Sequence, residues 1–166
     1  MSSAALDSPR LAPALVLAAA VLALGTAFFA QYAGGLQPCI LCLYQRYPYG
    51  VAIVLGLAGL ALAGRPGALR LVLALAGLAF LASAAVAAFH VGVEQHWWQG
   101  TDACAGAIGP GLTVEELTAQ LLAAPIVRCD EVPWSLFGVS IAGFNLLYAS
   151  LAGVAALWVA ARSRQP

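Results

Sequence analysis

Charged side chains are scarce in this sequence, and lysine is absent altogether. Only 8% of the 166 residues are charged, whereas 63% are hydrophobic. A soluble domain of this size would leave too much apolar surface in contact with water, so the composition excludes an ordinary soluble fold. The formal net charge is zero, so no excess of basic residues indicates nucleic acid as a partner. We therefore expect a membrane protein.

Charges are nearly absent from four long stretches, each of which is long enough for a transmembrane helix of about 20 apolar residues. These stretches cover residues 11–32, 42–63, 69–91 and 135–160, to within a few residues. Their hydrophobicity is continuous rather than alternating, which favours helices over the strands of a barrel. We predict an all-α membrane protein, a four-transmembrane-helix bundle that forms a single membrane domain over residues 1–166. A cleaved signal peptide is the alternative for the first stretch, but the stretch is too long and lacks a positive flank.

The arginines are distributed unevenly around the four predicted helices. Arg128 lies in the loop of about residues 92–134, whereas five others flank the opposite helix ends: Arg10, Arg65, Arg70, Arg162 and Arg164. The positive-inside rule places the side with five arginines in the cytoplasm, together with both termini. All four cysteines then lie on the outer side, which in a bacterium is the periplasm, where disulfides persist.

The loop of about residues 92–134 contains the signals of a short helix. Thr113 and Glu116 form a capping box, and Pro125 would end the helix. The apolar residues of this segment share one face: Val114, Leu117, Leu121 and Leu122. We therefore predict a short amphipathic helix in this second periplasmic loop, either in the plane of the membrane interface or as a cover over the loop.

The four cysteines are the residues best suited to chemistry. Cys39 and Cys42 form a C-x-x-C pair where the second helix begins, and a helix N-terminus favours the thiolate. Cys104 and Cys129 flank the predicted loop helix, and they could form either an exchange-active disulfide or a structural bridge. A zinc site made of all four thiolates is an alternative, although Cys104 and Cys129 lack the paired spacing of such sites.

Arg46 lies four residues beyond Cys42, on the same face of the second helix. An arginine this close to the hydrocarbon is costly, so such residues usually belong to functional sites. Its charge could stabilise a thiolate at Cys42 or negative charge on a bound electron acceptor. The alternative is that the side chain extends to the membrane interface without a chemical role.

Polar residues near the outer end of the third helix have two possible roles. His90, Glu94 and His96 could take part in proton transfer, or they could make structural hydrogen bonds. Asn145, in the fourth helix, is expected to make an interhelical hydrogen bond.

Two segments together resemble the bacterial disulfide bond formation protein B (DsbB) family. They are Pro38-Cys39-Ile40-Leu41-Cys42-Leu43-Tyr44-Gln45-Arg46 and Cys129 followed by Trp134-Ser135-Leu136-Phe137-Gly138, with Cys104 in the loop before the latter. The resemblance extends over essentially the whole chain. It implies an inner-membrane enzyme that reoxidises a periplasmic thioredoxin-like thiol oxidase (DsbA-like) and passes the electrons to a quinone, either ubiquinone or menaquinone.

The resemblance also implies roles for individual residues. Cys104 would be the sulfur that the partner attacks, and Cys129 would pass electrons to Cys39. Cys42 would face the quinone, with Arg46 beside it. The resemblance implies no metal, and it assigns no role to the two histidines.

Other functions remain open at this point. A vitamin K epoxide reductase-like enzyme is also a four-helix quinone enzyme, but its C-x-x-C usually lies late in the chain. A transporter or a membrane scaffold with a structural loop disulfide would not need Cys39 and Cys42. A haem-binding subunit is disfavoured, since only His90 could serve as an axial ligand on a helix.

Overall fold

Four long helices dominate the computed structural model, which describes residues 8–104, 113, 115, 118 and 127–162. Within these residues the helices are α1 (Leu11–Tyr32), α2 (Ile40–Ala61), α3 (Pro66–Glu94) and α4 (Ile141–Arg162). Each is long and apolar enough to cross a membrane. The predicted all-α, four-helix membrane fold is therefore confirmed.

Helix α3 is the central element of the bundle, because it packs against both α2 and α4 along much of its length. Helix α1 packs mainly on α2, and the Tyr148 hydroxyl of α4 donates to the carbonyl of Ala19. The shared core contains many alanines together with larger side chains such as Leu73 and Phe80. Large apolar side chains such as Leu151 instead point outward, as expected for helices surrounded by lipid.

The crossing of α3 and α4 depends on two glycines, Gly77 and Gly153. A Cβ atom on either glycine would lie 3.0 Å from the carbonyl oxygen of the other and 2.8 Å from a leucine side chain. In lipid, helices associate through close van der Waals packing rather than through the hydrophobic effect. The two backbones therefore approach closely at this point because neither residue has a side chain.

Helix α3 is longer than predicted at both ends, since it begins at Pro66 and ends at Glu94 rather than near residues 69 and 91. Proline suits the first position of a helix, where its missing N–H would have no helical partner. At the outer end, the N–H of His96 donates to the carbonyl of Val93, and that of Trp97 donates to Gly92. This is a Schellman motif, and His96 occupies its left-handed position, with φ 57°.

Helix α4 begins at Ile141, so the predicted start near residue 135 was wrong. Two short antiparallel strands precede the helix, β1 (Ser135–Leu136) and β2 (Val139–Ser140). Phe137 and Gly138 join them with φ values of 52° and 78°, as a type I′ turn requires. Hydropathy could not detect this hairpin, because its residues are as apolar as those of the helix that follows.

The segment between α3 and the hairpin begins with a short 3-10 turn at Asp102–Cys104. The predicted amphipathic helix lies mostly outside the described residues. Glu115 and Thr118 are helical and exposed, whereas the apolar face of that helix is outside the described part of the chain.

Candidate functional site

The C-x-x-C pair lies at the start of α2. Cys39 is the N-cap residue, and its Sγ atom accepts a hydrogen bond from the backbone N–H of Cys42. The two sulfur atoms are 3.1 Å apart and belong to free thiols. The hydrogen bond from the Cys42 thiol lowers the pKa of Cys39; burial opposes this shift, and the His90 ring adds to it. The site therefore favours a thiolate at Cys39.

Cys104 and Cys129 form a disulfide, with their Cα atoms 5.2 Å apart. Both residues are buried, and they pack in the same hydrophobic cluster as Cys39. Gly100 leaves room for the bridge, since a Cβ atom there would lie 3.1 Å from Sγ of Cys104. The fold thus brings together two cysteine pairs that are far apart in the sequence.

The disulfide argues against a zinc site made of all four thiolates. Cys104 and Cys129 are bonded to each other, so a zinc site of four thiolates does not exist in this state. The ligand atoms of Cys39, Cys42 and His90 lie within 4.8 Å of one another, and three protein ligands can hold a catalytic zinc ion. Hydrogen bonds among these side chains already account for their arrangement, and we assign no metal to them.

His90 forms one wall of the site, from the outer part of α3. Its Nε2 atom lies 3.5 Å from Sγ of Cys39, and its Nδ1 atom lies 3.0 Å from Nε2 of Gln45. Glu94 places a carboxylate oxygen 3.9 Å from His90 Nε2 and accepts a hydrogen bond from the Ser140 hydroxyl. His90 and Glu94 are four residues apart and therefore share one helix face, but this spacing does not reveal the contact with Cys39.

A buried polar network continues from His90 into the bundle. The side-chain amide of Asn145 donates to Gln45 Oε1 over 2.7 Å and to the Ser83 hydroxyl over 3.3 Å. The Tyr49 hydroxyl donates to Asn145 Oδ1, and Ser83 donates to the backbone carbonyl of Gln45. The interhelical hydrogen bond expected of Asn145 is therefore confirmed. Sequence reasoning missed Gln45, although a polar amide within a membrane helix, three residues from Cys42, was a usable signal.

Arg46 points from α2 towards α1. Its Nη1 atom donates to Gln31 Oε1 over 2.6 Å, and its guanidinium lies 5.2 Å from the ring centre of Phe28. The side chain is half-buried, one helical turn from Cys42. These contacts hold a permanent positive charge against α1, on the membrane side of the C-x-x-C pair.

A cleft of about 530 Å³ opens beside Cys104 on the loop side of the molecule. Trp97 and Trp98 line it, together with Arg128 and Asp130. The Arg128 Nε atom donates to Asp130 over 2.9 Å, and this bond lowers the pKa of the Asp130 carboxyl. The cleft therefore combines exposed aromatic rings with a charged pair next to one sulfur of the disulfide.

Several known proteins similar to this chain are named as disulfide bond formation proteins. The family model described as Disulfide bond formation protein DsbB matches residues 9–159. Disulfide bond formation protein B of Hahella chejuensis is 34% identical over 153 residues, which cover 86% of this chain and 87% of the relative. The protein of the same name from Aromatoleum aromaticum is 33% identical over 153 residues, covering 85% and 86%. No solved structure matches the chain.

Proposed function

This chain belongs to the DsbB family of disulfide bond formation proteins, and from that premise we propose that it is a thiol:quinone oxidoreductase. It oxidises a periplasmic thioredoxin-like dithiol protein (DsbA-like) and delivers two electrons to a membrane quinone. The observation that carries this proposal is the shared cluster of the Cys104–Cys129 disulfide with Cys39. Thiol–disulfide exchange requires direct contact between sulfur atoms, so the two pairs must be able to meet.

In the proposed first step, a thiolate of the partner attacks Cys104. A mixed disulfide forms between the partner and Cys104, and Cys129 leaves as a thiolate. The cleft beside Cys104 supports this assignment, because its aromatic rings and its ion pair offer a surface for the peptide around the attacking cysteine. Aromatic residues and arginine are enriched where proteins recognise one another.

In the second step, Cys129 attacks Cys39 of the oxidised C-x-x-C pair. A bond forms between Cys129 and Cys39, and Cys42 leaves as a thiolate. The partner's second thiol then displaces Cys104, which attacks Cys129 and releases Cys39. Each exchange breaks one S–S bond and forms another, so the partner leaves with a disulfide and the C-x-x-C pair is left reduced.

A quinone, when bound, supplies the oxidant, since it accepts two electrons and two protons. Cys42 and Arg46 would hold it at the outer end of α2. The fit rests on the positive charge of Arg46, which suits an acceptor whose oxygen atoms become negative on reduction. Cys39 attacks Cys42 as two electrons pass from the cysteine pair to the acceptor, and the C-x-x-C disulfide re-forms.

The proposed location is the inner membrane of a bacterium. Four membrane-spanning helices make the chain a multi-pass membrane protein. The five arginines at the predicted cytoplasmic helix ends support an orientation with both termini inside. The cysteines then face the periplasm, where their partner would be found.

The proposed function can be tested with purified protein, a reduced thioredoxin-like oxidase and a soluble ubiquinone or menaquinone analogue. We expect loss of oxidised quinone, followed by its absorbance, only when all three components are present. Cys104→Ser should stop the reaction, because the Cys104–Cys129 disulfide that the partner attacks can no longer form. Ser135→Ala, on the exposed hairpin, is the matched control and should react normally. Full activity in a variant with all four cysteines replaced by serine would disprove the proposal.

A further inference from the structure

The side-chain amide of Gln45 can adopt only one of its two orientations. Gln45 is buried, with 6% of its surface exposed. One end of its amide lies 3.1 Å from the backbone carbonyl oxygen of Leu41 and 3.0 Å from Nδ1 of His90. A carbonyl oxygen can only accept a hydrogen bond, so the end that faces it must be the NH₂ group.

The opposite end of the same amide leads to the same orientation. Oε1 of Gln45 accepts from the NH₂ group of Asn145, whose second hydrogen points to the Ser83 hydroxyl. Ser83 gives its own hydrogen to the backbone carbonyl of Gln45, and the Tyr49 hydroxyl donates to Asn145 Oδ1. Every donor in this network faces an acceptor. Reversing Gln45 would place oxygen against oxygen at Leu41 and NH₂ against NH₂ at Asn145.

This orientation determines where the neutral His90 ring carries its proton. Nδ1 receives an N–H from Gln45, so Nδ1 is the unprotonated nitrogen and the proton lies on Nε2. Two acceptors lie near Nε2, namely Sγ of Cys39 at 3.5 Å and a Glu94 oxygen at 3.9 Å, and the backbone of Cys129 also hydrogen-bonds to the ring. We propose that Gln45 is a positioning residue that holds His90 as the Nε2–H tautomer, so that the ring donates a hydrogen bond to Cys39.

The consequence for the reaction rests on the function proposed above. Cys39 leaves as a thiolate when Cys104 recovers Cys129, and it must then attack Cys42. Two N–H donors meet the Cys39 sulfur, from the His90 ring and from the backbone of Cys42. With the proton on Nδ1 instead, the ring would present a lone pair to Cys39, and one of these two donors would be lost.

The tautomer can be measured directly by nitrogen NMR of protein labelled in its histidine rings. The chain has two histidines, so His96→Asn leaves only the signals of His90. Asparagine is chosen because it tolerates the left-handed backbone at this position. In a pH titration followed until the ring is neutral, we expect a protonated Nε2 and an unprotonated Nδ1. A proton on Nδ1 of the neutral ring would overturn the proposal.

Variants of Gln45 test whether this residue determines the tautomer of His90. In Gln45→Glu the carboxylate can only accept, so we expect a proton to appear on Nδ1 of His90. Tyr44→Phe, on the exposed side of the same helical turn, is the matched control and should leave the ring signals unchanged. An unchanged His90 spectrum in Gln45→Glu would show that Gln45 does not set the tautomer.

The link to catalysis has a separate readout. Gln45→Leu removes the donor to His90, and we expect quinone reduction by reduced partner to slow about three- to tenfold, the usual effect of one hydrogen bond. An unchanged rate would show that Gln45 does not contribute to the reaction. The NMR measurement needs neither partner nor quinone, so the tautomer can be established even if the parent protein reduces no quinone. Failure of the proposed function is thereby distinguished from failure of this inference.

Discussion

Arg46 is a single positive charge at a depth where lipid would leave it poorly solvated. Gln31 accepts a hydrogen bond from its guanidinium group, and the ring of Phe28 lies close enough for a cation–π interaction. A guanidinium has five N–H donors, so the contact with Gln31 leaves others for a ligand. The contacts with α1 therefore orient Arg46 without using up its capacity to bind an anionic oxygen.

We expect Arg46→Ala to raise the apparent KM for quinone about tenfold or more, while the Cys104–Cys129 disulfide stays intact. A hydrogen bond to a charged group contributes about 1.5–3 kcal/mol, which corresponds to this range. The measurement is steady-state quinone reduction at varied quinone concentration. Arg162→Ala is the matched control, because Arg162 also lies on an aromatic ring, that of Trp158, but at the end of α4 opposite Ser140 and the site. An unchanged KM for Arg46→Ala would mean that Arg46 only anchors α2.

Arg46 could be selected from the sequence because an arginine is costly in an apolar helix, and the cysteines because of their C-x-x-C spacing and their predicted outer location. Gln45 could not be assigned a role in the same way. Its partners at positions 83, 90 and 145 come from two other helices, α3 and α4, and sequence alone does not show which helix faces meet. His96 was a candidate for proton transfer, and its position in the Schellman motif became visible only from its backbone conformation.

Among the helices, α3 contributes most to the site, and its outer end is shaped by the turn at His96. A residue other than glycine in the left-handed conformation costs about 1 kcal/mol or more. The turn brings Trp98 back towards the helix, where its indole N–H donates to the carbonyl of Phe89. The end of α3 thereby forms one side of the cleft next to Cys104.

We expect His96→Gly to stabilise the protein by about 1 kcal/mol, because glycine adopts positive φ without strain. The midpoint of thermal unfolding in detergent should rise by a few degrees, whereas His96→Val should lower it. The rate of quinone reduction at saturating partner should be unaffected, since the His96 ring lines the cleft beside Cys104 but has no part in the proposed exchange steps. Higher stability with loss of activity would instead give the ring a chemical role in the cleft.

The ends of helices were the least predictable elements of the fold. The hydropathy of residues 135–140 is compatible with a helix, and only the turn at Phe137 and Gly138 separates them from α4. The existence of the four helices was predictable, because no other regular structure suits such long apolar segments in lipid. Where each helix begins depends on backbone conformation at one or two residues, which hydrophobicity does not encode.

At the scale of the whole molecule, the proposed orientation places Cys104 and Cys129 on the periplasmic side of the inner membrane. After reduction, a membrane-impermeant thiol reagent added to intact spheroplasts should label both residues. Gly64→Cys in a cysteine-free background is the control, because residue 64 lies in the turn between α2 and α3 and has open space around it. It should react only after lysis. The opposite labelling pattern would reverse the orientation.

The placement of Cys39 and the Cys104–Cys129 bridge in one cluster has a kinetic consequence for the proposed relay. Groups held together in one molecule react at effective concentrations far above those of dissolved reactants. Transfer between the two cysteine pairs is then a first-order event whose rate is independent of how many copies the membrane contains. Higher expression would raise the total rate of thiol oxidation but would not shorten the transfer time between the two cysteine pairs of each molecule. Only the encounters with the partner and with the quinone would remain second order.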